Sequence, residues 1–239
     1  VKANASKHKA MSHERMLKTE VQLEAEIAAL LRKAELIDAQ EDARYGKGKR
    51  GDELPKELEL RQDRLDALRK AKAELEAEAA ADHARCREQQ ARAAEEKATE
   101  AAVQAADAEA AAAADNDEAD AESEAAAWAL AKEAQQAERR ARSARGRAEL
   151  ARKLAIDKAQ AAGLSTPDPL SSMDPLAMPS RNLPTTAAGD PKAKAQRNFT
   201  DPDSHILKGG DGWIQGYNCQ AAVDGDHQII VAVGVSNQA

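Results

Sequence analysis

Two stretches of the chain place apolar residues at helical spacing. Between residues 13 and 44 the positions of one helix face are spaced alternately by four and three residues. They are apolar except for one glutamate: Met16, Glu20, Leu23, Ile27, Leu30, Ala34 and Ile37. Between residues 55 and 80 a second face holds Leu58, Leu65, Leu68 and Leu75. This spacing is typical of amphipathic helices that pack along one coiled-coil-like seam. It predicts two helices, with Ser12 as the N-cap of the first.

The ten residues between the two helices, 45–54, are rich in glycine. Pro55 suits the first turn of a helix, and a short loop between two apolar-striped helices favours an antiparallel pair. The sequence therefore predicts an αα-hairpin over residues 13–80. The run from Gly46 to Gly51 matches the letters of a dinucleotide-binding fingerprint. That fingerprint follows a strand, however, and here a helix precedes it, so a hairpin loop is favoured.

Residues 81–162 are built mainly from Ala, Glu, Gln and Arg, which have high helix propensity. Larger apolar residues are sparse and form no stripe, so we expect a long Ala-rich helix that is weakly anchored, or one that frays near residues 115–117. Composition alone does not separate such a helix from a disordered segment. The proline-rich stretch 163–198 predicts a poorly ordered linker.

The pattern changes to β-like near the C-terminal end. Residues 212–223 alternate, so that Trp213, Gln215 and Tyr217 would share one face, and a short Asp-Gly-Asp turn leads to a second strand over 227–236. This pattern predicts an antiparallel hairpin. The second strand is apolar on both faces, which is typical of a strand inside a larger sheet. The predicted fold class is mostly α with a small β part.

Composition argues against one large core, because aromatic residues are 2% of the chain and alanine dominates its apolar share. Net charge is −7, and the charge is uneven: residues 107–124 are acidic and residues 138–153 are basic. Positive loop tips and helices can bind DNA phosphates. The candidate DNA contacts are Lys47, Lys49, Arg50, Arg139, Arg140, Arg142, Arg145 and Arg147. The alternatives are a solvated loop, a solvated helix, and pairing with the acidic run.

Other candidate chemistry is weaker. Cys86 and Cys219 indicate neither a disulfide framework nor a thiolate site, which fits a reducing compartment. The five histidines show no ligand-like pairing, so no metal site is predicted from them. The acids at 201 and 203 and those at 224 and 226 fit turns better than magnesium binding or catalysis. The chain has no apolar run of about 18 residues, so no membrane span is expected and the cytoplasm is the default location.

Several phrases resemble the DDE transposases of bacterial insertion sequences. They are Phe199-Thr200-Asp201-Pro202-Asp203-Ser204, Asp211-Gly212-Trp213-Ile214-Gln215-Gly216-Tyr217-Asn218-Cys219-Gln220-Ala221-Ala222-Val223-Asp224, and His227-Gln228-Ile229-Ile230-Val231-Ala232. The opening Val1–His8 resembles the text that follows this family's first catalytic aspartate. The loop 45–55 also resembles part of the family's insertion.

The resemblance implies an RNase H-like domain that is incomplete in this chain. Residues 1–8 would be the remnant of its first strand, 9–162 a helical insertion, 163–198 the linker and 199–239 a β-hairpin. Intact members hold two Mg²⁺ or Mn²⁺ ions on three carboxylates and transfer strands of transposon-end DNA. The resemblance places those carboxylates outside this sequence. It therefore assigns no catalytic, metal or cofactor residue here, leaves enzymatic activity undecided, and leads us to expect no strand cleavage by this chain alone.

An alternative function is that of a non-enzymatic, helical coiled-coil interaction protein that self-associates through its helices. An upstream catalytic strand encoded in the flanking DNA would favour the transposase. Strong self-association would favour the interaction protein.

Overall fold

A computed structural model describes residues 2–45, 56–114, 121–164, 170, 183–210 and 212–236. These residues form mostly helices, with three small antiparallel sheets of two strands each. The helices are α1 (His13–Tyr45), α2 (Lys56–Ala114) and α3 (Ala121–Ala161). The strands are β1 (Ala10–Ser12), β2 (Gln196–Asn198), β3 (His205–Gly209), β4 (Gly212–Gly216), β5 (Asn218–Val223) and β6 (Ile230–Ser236).

The first helix begins where the sequence predicts. Ser12 caps α1, because its Oγ accepts a hydrogen bond from the backbone N–H of Arg15 at 3.4 Å. The N–H groups of His13 and Glu14 donate to the carbonyls of Ala195 and Ala193, at 2.8 and 3.2 Å. A segment distant in sequence thus satisfies helix-terminal donors that the helix itself leaves unpaired.

The predicted antiparallel pairing of α1 with the first half of α2 agrees with their ion pairs. Glu26 contacts Arg61 at 3.1 Å, whereas His13, near the start of α1, contacts Glu76 at 3.4 Å, so the two helices run in opposite directions. Their buried residues form what we call the leucine seam: Met16, Leu23, Leu58, Leu65, Leu68 and Leu75. Burial decreases along α1, and Ile37, the last residue of the predicted stripe, is 46% exposed.

The Ala-rich stretch differs from its prediction. It is divided between α2, which continues without a break to Ala114, and α3. The two pack through buried alanines, with Ala80 and Ala84 beside Ala151 and Ala155. Farther along, Ala91 and Ala94 lie beside Ala144 and Ala148, so the helices are antiparallel. We call these eight residues the alanine seam. The prediction that no stripe runs through this stretch was wrong, because the stripe consists of alanine. Residues 115–117, where fraying was expected, lie outside the described residues.

The C-terminal part of the predicted linker is structured. β2 pairs with β1 in antiparallel register, with Met11 opposite Arg197. Leu183, Ala195 and Asn198 are buried, and Arg197 forms an ion pair with Glu74 at 2.7 Å. Residues 183–198 are therefore held by burial and pairing that their proline-rich composition did not predict.

The β region contains two hairpins where one was predicted. The antiparallel pairing of β5 with β6 confirms the second half of the prediction. Residues 212–216, however, form the separate strand β4, which pairs with β3 instead, and the chain leaves the strand at Tyr217. The turn is also longer than predicted, because Asp224 N donates to the carbonyl of Ile229 and β6 begins only at Ile230. The described strands pair two by two, so these pairings do not include the larger sheet of an RNase H-like domain.

The N-terminal residues lie against β4. Lys2 forms a β-bridge with Gly216, and the N–H of Ala3 donates to the carbonyl of Gln215 at 2.9 Å. Residues 7–9 form a 3₁₀ turn, so only the start of the predicted strand remnant 1–8 is paired. The chain divides into two compact units, one of residues 1–77 and 174–239 and one of residues 78–173. The boundary between them falls within α2.

Candidate nucleic-acid interface

Helix α3 presents its basic residues on the side away from the alanine seam. Lys132, Arg139, Gly146 and Lys153 follow one another at intervals of seven residues and therefore share one face of the helix. Arg142 lies on the same side, and all the charged members are exposed. We call Lys132, Arg139, Arg142 and Lys153 the basic face of α3. At a rise of about 1.5 Å per residue it extends over roughly 30 Å.

Arg140 and Arg147 flank this face and are also seven residues apart. Together with Arg139 they are exposed and form no ion pair with another described residue. Arg142 pairs with Glu138 at 2.7 Å, but the two side chains are 79% and 64% exposed. A pair so open to water contributes little free energy, so Arg142 can exchange its partner for a phosphate.

Arg145 differs from the other predicted DNA contacts of α3, because it forms ion pairs with another helix. Its guanidinium bonds both carboxylate oxygens of Glu95, at 2.7 and 2.6 Å, and a carboxylate oxygen of Glu88 at 2.8 Å. These bonds hold the pKa of both glutamates below its usual range and raise the pKa of the arginine. Arg145 therefore joins α3 to α2 across the alanine seam, and its bonding capacity is used within the protein.

The structure adds an aromatic residue that the sequence analysis missed. Trp128 is 67% exposed, and the ammonium of Lys132 lies 5.1 Å from the centre of its ring. Exposed tryptophans are uncommon, and an indole beside a cation can stack on a nucleobase while the cation binds a phosphate. The spacing of the seam alanines along α3 puts Trp128 on the side of the helix away from the seam. This signal is visible in the sequence once alanine is treated as a buried residue.

Gly146 lies in the middle of the basic face. A Cβ built at this position would meet nothing within 4 Å, so packing inside the protein does not require glycine here. A helix-interior glycine costs about 1 kcal/mol relative to alanine. A residue without a side chain does allow a ligand to approach the helix backbone closely. The loop residues Lys47, Lys49 and Arg50, which were also candidate DNA contacts, lie outside the described residues.

The first pair of candidate acids lies in a turn. The carbonyl of Asp201 accepts from the N–H of Ser204, and its side chain accepts from the Tyr217 hydroxyl at 2.6 Å. Burial, and then this hydrogen bond, raise the pKa of Tyr217 above its usual range. Asp201 therefore holds the chain where it leaves β4.

The second pair lies in the turn between β5 and β6. The carboxylate of Asp224 accepts from the ring of His227 at 2.8 Å and from the backbone N–H groups of Asp226 and His227. The contact with the His227 ring, followed by the backbone bonds, lowers the pKa of Asp224. Asp224 thus stabilises a turn, as its sequence context predicts.

The described residues do not fit a two-metal centre. Within the described ranges, no three His, Cys, Asp or Glu side chains are grouped so as to hold a metal ion. None of the described helices contains a stretch that is both long and apolar enough to cross a membrane.

Comparison with protein-family models, with curated proteins and with solved structures found no match to this chain.

Proposed function

We propose that this chain is part of an insertion-sequence transposase whose helical insertion binds DNA through the basic face of α3. One juxtaposition supports the transposase part of this proposal. The transposase-like phrases occur near both ends of the sequence, and in the structure Lys2 and Ala3 pair with Gly216 and Gln215. Segments about two hundred residues apart thus meet in one compact unit.

The path of the chain also fits an insertion. It leaves the N-terminal segment through β1 and returns through β2, and these two strands pair in antiparallel register. Such a two-stranded stem holds the ends of a long insertion close together, so that the helices between them can be accommodated in a domain without separating its strands.

The DNA-binding part of the proposal rests on the outward surface of α3. Lysines and arginines there project from a rigid helix, and opposite charge attracts the phosphate backbone without reading its sequence. The exposed acids of α3 near this surface, Glu133, Glu138 and Glu149, do not cancel its charge, because residues 138–153 hold seven lysines and arginines against two glutamates. This arrangement indicates positioning of DNA rather than base-specific recognition.

The test is titration of a fluorescently labelled duplex with the purified chain at several salt concentrations. We expect salt-sensitive binding. Changing Arg139, Arg142 and Lys153 to glutamine should weaken it and reduce the slope of log K against log salt by about one for each phosphate that is no longer neutralised. The matched control changes Arg15, Arg32 and Lys33, which are exposed on α1, to glutamine, so that both variants lose three positive charges. Equal binding by both variants would contradict a DNA face on α3.

A second candidate function is self-association through the helices, as in a coiled-coil interaction protein. One observation favours it: Leu17, Val21 and Leu31 share a face of α1 and are 44%, 67% and 40% exposed. Exposed apolar stripes of this kind mark contact surfaces. Analytical ultracentrifugation should then show a dimer that Val21→Glu dissociates, with Gln22→Glu as the control. A monomer at all concentrations would exclude this function.

A further inference from the structure

A polar cavity of about 550 Å³ lies between the N-terminal segment and β4. Its walls include Lys2, Lys7, His8, Trp213 and Gln215. This volume is in the range of sites that take a small ligand. The cavity lies wholly within the unit formed by residues 1–77 and 174–239, whereas the basic face of α3 belongs to the other unit.

The cavity remains open because, among the described residues, the N-terminal segment pairs with β4 only through Lys2 and Ala3. After the bond from Ala3 N to the carbonyl of Gln215, the chain turns away from the strand. It is then fixed again at Ser6, whose carbonyl accepts from the side-chain amide of Asn198 at 2.9 Å. Asn198 is 1% exposed, so this second anchor is shielded from water. The segment between the two anchors forms one wall of the cavity.

The chemistry of the walls is cationic and aromatic. Lys2, Lys7 and His8 are exposed, and no aspartate or glutamate is among the described residues that line the cavity. Trp213 is 60% exposed. Ammonium groups bind phosphate oxygens, and an exposed indole offers a flat face on which a nucleobase can stack.

Gln215 is the most buried of the residues of β4 that line the cavity. It is 3% exposed, and its Nε2 donates to Ser204 Oγ at 2.8 Å. Its Oε1 is closed to solvent and has no hydrogen-bond partner among the described residues. Because this oxygen does not face the cavity, the choice of ligand rests on the lysines and on Trp213.

From these observations we infer that the cavity binds a nucleotide, with its phosphate on Lys2 and Lys7 and its base against Trp213. The two possible sources share this chemistry: a free nucleotide and the terminal nucleotide of a DNA strand. Phosphate alone would leave the indole face unused, and a flat apolar ligand would leave the lysines unused. This inference goes beyond the proposed DNA contact on α3 and does not depend on it.

The experiment follows the fluorescence of Trp213 in the full chain. Because the chain has two tryptophans, a Trp128→Phe background leaves Trp213 as the only one. This protein is titrated with deoxyadenosine monophosphate, deoxyadenosine, inorganic phosphate and a 5′-phosphorylated single-stranded oligonucleotide. We expect saturable quenching by the nucleotide, with the nucleoside and the phosphate binding at least about tenfold more weakly. Tighter binding of the oligonucleotide than of the nucleotide identifies a strand end, and the reverse order identifies a free nucleotide.

The decisive variant is the double change Lys2→Gln and Lys7→Gln, which should weaken nucleotide binding about tenfold or more because it removes both ammonium groups that would bind the phosphate. The matched control, Lys192→Gln with Lys194→Gln, removes the same charge from exposed positions of the same unit. Trp213→Leu, followed by calorimetry, tests the stacking, and circular dichroism checks that each variant is folded. Absence of saturable binding up to concentrations on the order of 10 mM, or equal weakening in both double variants, would overturn the inference. Duplex binding through α3 is measured separately, so its failure would leave this result unaffected.

Discussion

The leucine seam and the alanine seam have buried residues at the same helical spacing, but the buried side chains are large in one seam and small in the other. The leucine seam between α1 and α2 buries large side chains, with Met16 and Leu75 at 0% exposure. The alanine seam between α2 and α3 buries single methyl groups, with Ala91 at 0% and Ala155 at 1%. Burial of a leucine contributes about 1.5–3 kcal/mol, and burial of one methyl group about 0.8 kcal/mol. Each position of the alanine seam therefore contributes less apolar burial.

This difference shows that two seams with the same helical spacing can be destabilised by opposite changes in side-chain size. A seam of large side chains is destabilised when an atom is removed, because a cavity remains. A seam of small side chains brings helix backbones close together, so it has no room for an added atom. Both pairs also carry ion pairs between helices, Glu20 with Arg69 and Lys72 in one and Arg145 with Glu88 and Glu95 in the other. The following changes test this contrast.

The largest effect is expected from Leu75→Ala in the leucine seam. Leu75 is fully buried, so its truncation should lower the free energy of unfolding by about 2–5 kcal/mol. Denaturant unfolding gives the value, and hydrogen exchange of α1 peptides shows which helix pair is affected. Leu60→Ala is the control, because Leu60 is 68% exposed and should change stability by less than about 0.5 kcal/mol. Similar destabilisation in both variants would mean that the seam is not where the buried leucines indicate.

Enlargement of the alanine seam should have the next largest effect. Ala91→Leu adds three carbons to a fully buried position and should cost about 1–3 kcal/mol through overpacking. Hydrogen exchange of α3 peptides should report the destabilisation. Ala93→Leu is the matched control, because Ala93 lies on the same helix and is exposed. If Ala91→Leu stabilised the protein, the two helices would not be closely packed at this point.

Removal of the charged link across the alanine seam should have a smaller effect that depends on pH. The folded-state pKa values of Glu88 and Glu95 are lowered by Arg145 from the ordinary 4.5, so the stabilisation is complete above that value. It is lost as pH falls through the lowered folded-state values. Arg145→Gln should therefore lower the unfolding temperature at pH 7 and leave less stability to lose in acid. Arg142→Gln, which breaks only an exposed pair within α3, should change neither quantity. Parallel pH curves for Arg145→Gln and the wild type would contradict the link.

The smallest effect is expected from Gly146→Ala on the outward face of α3. Nothing lies within 4 Å of the added carbon, so the higher helix propensity of alanine should stabilise the pair of helices α2 and α3 by about 0.5–1 kcal/mol. Thermal unfolding measures the gain. The stability of the leucine seam should not change, which hydrogen exchange of α1 can verify. A decrease in stability would show that a neighbour requires glycine at this position.

Features with local causes could be predicted from the sequence. The start of α1 follows from Ser12 as a cap, and the leucine seam follows from leucines at helical spacing. The turn at Asp224 follows from a side chain that accepts from nearby backbone N–H groups, and the turn at Asp201 is closed by its carbonyl, which accepts from the N–H of Ser204. The antiparallel pairing of β5 and β6 follows from two apolar runs joined by a turn. Of the candidate site, the exposed arginines of α3 were found, because charge is visible without a structure.

Features with distant causes could not be predicted in the same way. Arg145 resembles its neighbours in sequence, and only the position of Glu88 and Glu95 on another helix makes it an internal link. The cavity beside Trp213 arises where a segment near residue 5 separates from a strand near residue 214. Neither feature leaves a local signal, because each depends on pairs of residues far apart in the chain.

The amino-acid order alone sets where helices form, where turns occur and which residues carry charge, because propensity, capping and periodicity act within a few residues. Which stripes and strands meet depends on the folded chain. Folding joined β4 to β3 rather than to β5 and placed the carbonyls of Ala193 and Ala195 at the start of α1. It also made a seam from alanines, each of which buries little apolar area. The free energy of such contacts comes from many weak interactions, which accumulate only when the distant partner is in place.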